Sequence, residues 1–142
     1  MDDEQPSQSN NATDGDSRAN SSTRCVLLAE DDRSVRRYLE VTLQRSGYKV
    51  IVAGDGLEAM KLALSSEIDA VVTDAIMPHL SGQQLARFLR GNPKLAAIPI
   101  ILLTGQENKE ASAAPDDLID TFLYKPINTQ DLVKSLETLL KR

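Results

Sequence analysis

Along residues 25–142, short apolar runs alternate with segments whose apolar positions recur every three or four residues. Cys25-Val-Leu-Leu-Ala29 has no polar interruption, the mark of a strand buried on both faces. Val35, Tyr38, Leu39, Thr42 and Leu43 follow at i, i+3, i+4, i+7 and i+8, which predicts a helix stopped by Gly47. Residues 48–53, with β-branched Val50, Ile51 and Val52 in a row, predict a second strand. Asp55 with Glu58 three residues on resembles a capping box, opening a helix through Leu64. Residues 69–73 predict a third strand, and 83–90 a third helix with Leu85, Phe88 and Leu89 inward. Two more strands are predicted at 98–103 and 119–124. Asn128 with Asp131 caps a last helix whose Leu132, Val133, Leu136, Leu139 and Leu140 share one face.

Strands alternating with helices in units of about 20–25 residues imply an α/β fold with a parallel sheet covered on both faces. Right-handed crossovers leave few topologies, and a doubly wound five-stranded sheet of order 2-1-3-4-5 leads. The segment 106–117, between the fourth and fifth strands, carries Ser112, Pro115 and only alanines as apolar residues. A short or mobile helix is expected there.

Composition narrows the function. The chain of 142 residues is one domain's worth, and its 41% hydrophobic and 26% charged residues are ordinary for a globular protein. No apolar run is long enough to cross a membrane, and the acidic start MDDEQPSQSN is no signal peptide. Cys25 is the single cysteine, so no disulfide framework forms, and one Cys with one His cannot build a structural zinc site. A net charge of −5 without a basic cluster argues against direct nucleic-acid binding. Residues 1–24 hold five acids against Arg18 and Arg24, with only Met1, Ala12 and Ala19 apolar. They are expected to be a disordered tail before a domain at 25–142, in a cytoplasmic protein.

In an open α/β sheet the ligand site lies beyond the carboxyl ends of the strands. The first predicted strand runs into Glu30-Asp31-Asp32, the third into Asp74, the fourth into Thr104 and the fifth into Lys125-Pro126. Carboxylates gathered in one cleft repel one another unless a cation neutralises them, and an open oxygen-lined cleft suits Mg²⁺. Taken singly, Asp31 and Asp32 also read as a helix cap, Lys125 as a surface lysine and Thr104 as a strand end. Asp74 shifts that balance, because a carboxylate ending so apolar a strand needs a partner, and Lys125 is the candidate.

Four stretches at these strand ends carry a family resemblance. They are Val26-Leu-Leu-Ala-Glu-Asp-Asp32 before Val35-Arg36-Arg37, and Val72-Thr-Asp74-Ala-Ile-Met-Pro78 with Ser81-Gly82. Ile100-Ile-Leu-Leu-Thr104-Gly105 and Phe122-Leu-Tyr-Lys125-Pro126 complete the set. Together they resemble the receiver domain of two-component response regulators, in the single-domain style of chemotaxis proteins. The resemblance covers all of 25–142 and implies a CheY-like, flavodoxin-like three-layer α/β/α fold.

It also implies roles. Asp74 would accept a phosphoryl group from a phosphohistidine on a sensor histidine kinase or a histidine phosphotransfer protein. Asp31 would ligate Mg²⁺ directly and Glu30 through water, with Asp74 and the backbone carbonyl of Ile76 as further ligands. Asp32 would instead cap the first helix. Thr104 and Lys125 would contact phosphoryl oxygens, and Lys125-Pro126 would be a cis peptide bond. Thr104 and Phe122 would form the switch pair, Phe122 without the hydroxyl a tyrosine would bring. His79, past Pro78, receives no catalytic role. The implied protein is a self-phosphorylating switch with intrinsic autodephosphorylation, not an enzyme acting on a free substrate. It is expected to have no output domain after Arg142 and to signal as a monomer by contact with a downstream protein.

Three other functions compete with this one. A magnesium-dependent aspartyl-phosphate phosphatase would want a second acid two residues after the nucleophile, where Ile76 stands. A flavodoxin-like cofactor binder would need a phosphate loop where Glu30-Asp31-Asp32 would repel phosphate. An unphosphorylated adaptor on the same fold, or a phosphate sink, is the closest alternative.

Overall fold

The computed structural model describes residues 23–105 and 117–141. Five strands form one parallel sheet of order β2-β1-β3-β4-β5, as the alternation of elements predicts. They are β1 (Cys25–Ala29), β2 (Lys49–Ala53), β3 (Ala70–Asp74), β4 (Ile100–Thr104) and β5 (Thr121–Tyr124). Every residue of β1, β3 and β4 is buried, which is why these strands read as unbroken apolar runs. The register is in step throughout, with Ala29 beside Ala53 and Thr73, and Asp74 beside Leu103.

The helices are α1 (Arg33–Arg45), α2 (Gly56–Ser65), α3 (Gly82–Arg90) and α4 (Thr129–Leu140). Alternate strand residues separate the core into two halves. Leu27, Val71, Ile100 and Leu102 pack with Leu85 and Leu89 of α3 and Ala59 and Ala63 of α2. Val26, Leu28, Val72, Ile101 and Leu103 pack with Leu39 and Leu43 of α1 and Leu132 and Leu136 of α4. A helical layer on each face of the sheet is the three-layer arrangement anticipated above.

The helix ends follow their caps. Asp32 accepts the Val35 amide at 3.0 Å, and Asn128 accepts that of Asp131 at 3.1 Å. Gly47, at φ +98, turns the chain after α1 in the left-handed region that favours glycine. Asp55 accepts the Glu58 amide at 2.8 Å, but the Glu58 carboxylate returns to the Gly54 amide, one residue before the cap.

Several boundaries differ from the sequence reading. The third strand lies at Ala70–Asp74, not 69–73, because the Asp69 carboxylate takes the Cys25 amide at 2.7 Å in the preceding turn. The fourth strand begins at Ile100, not 98, since Arg90 binds the Ile98 carbonyl at 2.7 Å and Pro99 has no amide hydrogen. The fifth begins at Thr121, not 119, where Asp120 accepts the Ile100 amide at 2.8 Å. The second begins at Lys49, and α2 runs one residue beyond Leu64. In α1 only Leu39 and Leu43 of the expected stripe are buried, while Val35 and Tyr38 face outward. The readings of 1–24 as a disordered tail and of 106–117 as a short helix fall on segments outside the described residues, apart from Thr23, Arg24 and Asp117.

Candidate functional site

The carboxyl ends of β1, β3, β4 and β5 deliver the acids, hydroxyl and lysine that the sequence placed there. The pairing runs one step past the strands: the Ala75 amide bonds the Leu103 carbonyl, and the Lys125 amide bonds that of Thr104, both at 2.8 Å. These two bonds hold Asp74, Thr104 and Lys125 at one edge. The Lys125-Pro126 peptide is cis.

One carboxylate oxygen from each of Glu30, Asp31 and Asp74 lies within 4.8 Å of the others. Lys125 Nζ stands 2.9 Å from Asp74 Oδ1. Asp74 is 4% exposed and Glu30 2%, whereas Asp31 is open to solvent. Glu30 Oε2 accepts the Asp32 amide at 3.1 Å, but Glu30 Oε1 is buried with no hydrogen-bond partner. Burial, with the Asp74 charge beside it, pushes the Glu30 carboxyl up to about 7, against the Asp32 amide and Lys125, which lower it. Partial burial alone would lower Lys125; its hydrogen bond to Asp74 and the charges of Asp74, Glu30 and Asp31 raise it instead.

This set fits a divalent cation. Three hard oxygen donors converge and, among the described residues, Glu30 Oε1 is buried without a partner and Lys125 is the cation paired with them. Thr104 is buried, and among the described residues its hydroxyl makes a single long 3.5 Å contact, to the Gly105 carbonyl, so the donor is weakly committed.

The loop after Asp74 is shaped by close packing. A Cβ on Gly82 would run into the Asp74 carbonyl oxygen, and one on Gly56 into that of Leu80. The Gly82 amide bonds the Ala75 carbonyl at 2.9 Å, drawing the start of α3 against the end of β3. His79 adopts φ +72 and places Nδ1 3.4 Å from the Asp55 carboxylate, away from the acidic cluster's own contacts. Ile76 is 58% exposed on this loop. Phe122 is half-buried against the α2 and α3 side of the core, while Tyr124 is the residue in register with Thr104.

Two features escaped the sequence reading. Ser81 and Gln84 form a full capping box at the start of α3, which the Ser-x-x-Gln spacing would have revealed. Arg36 donates to the Glu30 carbonyl at 2.8 Å, a contact that no spacing rule announces.

The family model for the response regulator receiver domain matches residues 26–137. The chain belongs to the response-regulator receiver family. This receiver domain is 37% identical over 118 residues to the response regulator MprA of Mycobacterium tuberculosis, an alignment covering 82% of the chain and 50% of MprA. It thus spans about half the length of the curated relatives it matches. The chemotaxis response regulator CheY4 of Vibrio cholerae superposes with a TM-score of 0.77 at 30% identity, covering 84% of this chain and all of CheY4. The receiver domain of a sensor histidine kinase from Pseudomonas aeruginosa superposes with a TM-score of 0.76 at 27% identity, over 85% of this chain and all of that domain. That structure holds a magnesium ion in its active-site cleft.

Proposed function

We propose that this receiver domain is a phosphorylation switch in a two-component phosphorelay, with Asp74 as the phosphoacceptor. The observation that carries the reading is the convergence of Glu30, Asp31 and Asp74 beside one lysine at the carboxyl edge of the sheet. An oxygen of Asp74 attacks phosphorus as the phosphorus–nitrogen bond to a donor phosphohistidine breaks. The products are an aspartyl phosphate and a histidine that takes up a proton. The donor is a histidine kinase or a phosphotransfer protein.

Phosphoryl transfer asks mainly for positioning and charge neutralisation. Mg²⁺ held by Asp31, Asp74, the Ile76 carbonyl and, through water, Glu30 would supply positive charge to the transferring phosphoryl oxygens. Lys125, released from its pairing with Asp74, meets a second phosphoryl oxygen as a compact charge. Thr104 exchanges its long contact with Gly105 for a third. That movement is the switching step, and Phe122 responds to it through burial alone. A downstream protein reads the altered surface.

Beryllium fluoride, a phosphoryl mimic, tests this assignment by calorimetry in the presence of Mg²⁺. One equivalent bound by the wild type and none by Asp74→Asn is the expected result. Binding that persists in Asp74→Asn, or that needs no Mg²⁺, would contradict it.

A further inference from the structure

Near the start of α1, the Arg36 guanidinium reaches back over the strand ends and donates Nη1–H to the Glu30 carbonyl at 2.8 Å. Glu30 is held at two other points. Its amide bonds the Ala53 carbonyl at 3.1 Å, and its Oε2 accepts the Asp32 amide at 3.1 Å. With backbone amide, backbone carbonyl and one carboxylate oxygen all fixed, only Oε1 is left over, and it faces burial without a partner beside Asp31 and Asp74. Arg36 is half-buried, and among the described residues it makes no ion pair with a carboxylate.

We propose that Arg36 is a positioning residue for the metal-binding carboxylates. By holding the Glu30 carbonyl it fixes the turn from β1 into α1 and aims Glu30 and Asp31 at Asp74. The inference rests on the magnesium reading above. Outer groups that orient ligands govern affinity strongly, their loss commonly weakening metal binding about 10–100-fold.

The sign of the effect separates positioning from plain charge. Arg36 carries a positive charge close to a cation site, so removing it would tighten Mg²⁺ binding if Coulomb repulsion were its only influence. Positioning demands the opposite. Arg37 is the matched control: it lies on the same helix turn, is exposed, and pairs with Glu40 at 3.2 Å without reaching Glu30. Arg36→Lys keeps the charge and one donor but lacks the planar fork, so it should restore part of the loss.

The test is a Mg²⁺ titration of the full chain, followed by calorimetry or amide chemical shifts without any phosphodonor. The expected result is affinity about tenfold weaker in Arg36→Gln, little changed in Arg37→Gln, and intermediate in Arg36→Lys. Should Arg36→Gln fail to fold, Arg36→Met, which keeps the aliphatic stem, carries the same comparison. Equal or tighter binding by the folded variant overturns the role of Arg36 and leaves the magnesium site standing. No Mg²⁺ binding by the wild type overturns the magnesium site itself.

Discussion

A carboxylate taken out of water favours its protonated form, and for Glu30 burial and the neighbouring Asp74 charge outweigh the Asp32 amide and Lys125, pushing its carboxyl up to about 7. Between the ordinary carboxylate range and about 7, the folded protein therefore binds more protons than the unfolded chain. Its stability should fall as pH rises through that window in the absence of divalent cations. Asp55, held low by the Glu58 amide, and Lys125, raised by its acidic neighbours, change protonation outside the window. Urea unfolding in chelator at about pH 5 and about pH 8 checks the point: Glu30→Gln should gain on the wild type at the higher pH. An unchanged difference between the two proteins would contradict it. Ile76 supports a second prediction. Its side chain is exposed two residues after Asp74 and, being apolar, cannot orient an attacking water. Ile76→Asn should shorten the life of the aspartyl phosphate severalfold, measured as decay of the phosphorylated mass; an unchanged decay rate would count against it.

Among the elements, the loop from β3 to α3 depends on glycine most directly. Gly56 opens α2, where alanine has the better helix propensity by about 1 kcal/mol, yet a Cβ there meets the Leu80 backbone. Backbone cannot rotate aside as a side chain can, so the collision outweighs the propensity gain. Gly56→Ala and Gly82→Ala should each destabilise by about 1–3 kcal/mol in urea unfolding, whereas Gly91→Ala, with its nearest neighbours at 3.5 Å, should be nearly neutral. Element type was legible because β1, β3 and β4 are apolar without interruption and the helices carry readable caps. Strand starts were less so. Asp69, Arg90 and Asp120 bind neighbouring backbone from afar in sequence, and no local pattern encodes those bonds. Val35 and Tyr38 match the helical stripe of α1 yet lie outside the core, since Leu39 and Leu43 already fill the contact with the sheet.

At the scale of the molecule, the order of the sheet decides where chemistry can occur. Central placement of β1, β3 and β4 brings Glu30, Asp74 and Thr104 to one edge, and β5 adds Lys125 from beside β4. Strand ends therefore told where Asp74, Lys125 and the acidic pair would meet. Arg36 and the glycine contacts lie in the folding of helices back over that edge, which strand ends alone do not reveal. Among the described residues no helix is long and apolar enough to cross a membrane. The most direct test of the switch is the intact mass of the chain after incubation with Mg²⁺ and a small acyl-phosphate donor, alongside Asp74→Asn. One added phosphoryl group on the wild type, absent from the variant and absent without metal, is the expected result. A phosphoryl group on Asp74→Asn, or none on a wild type that also fails to bind beryllium fluoride, would contradict the assignment of Asp74 as phosphoacceptor.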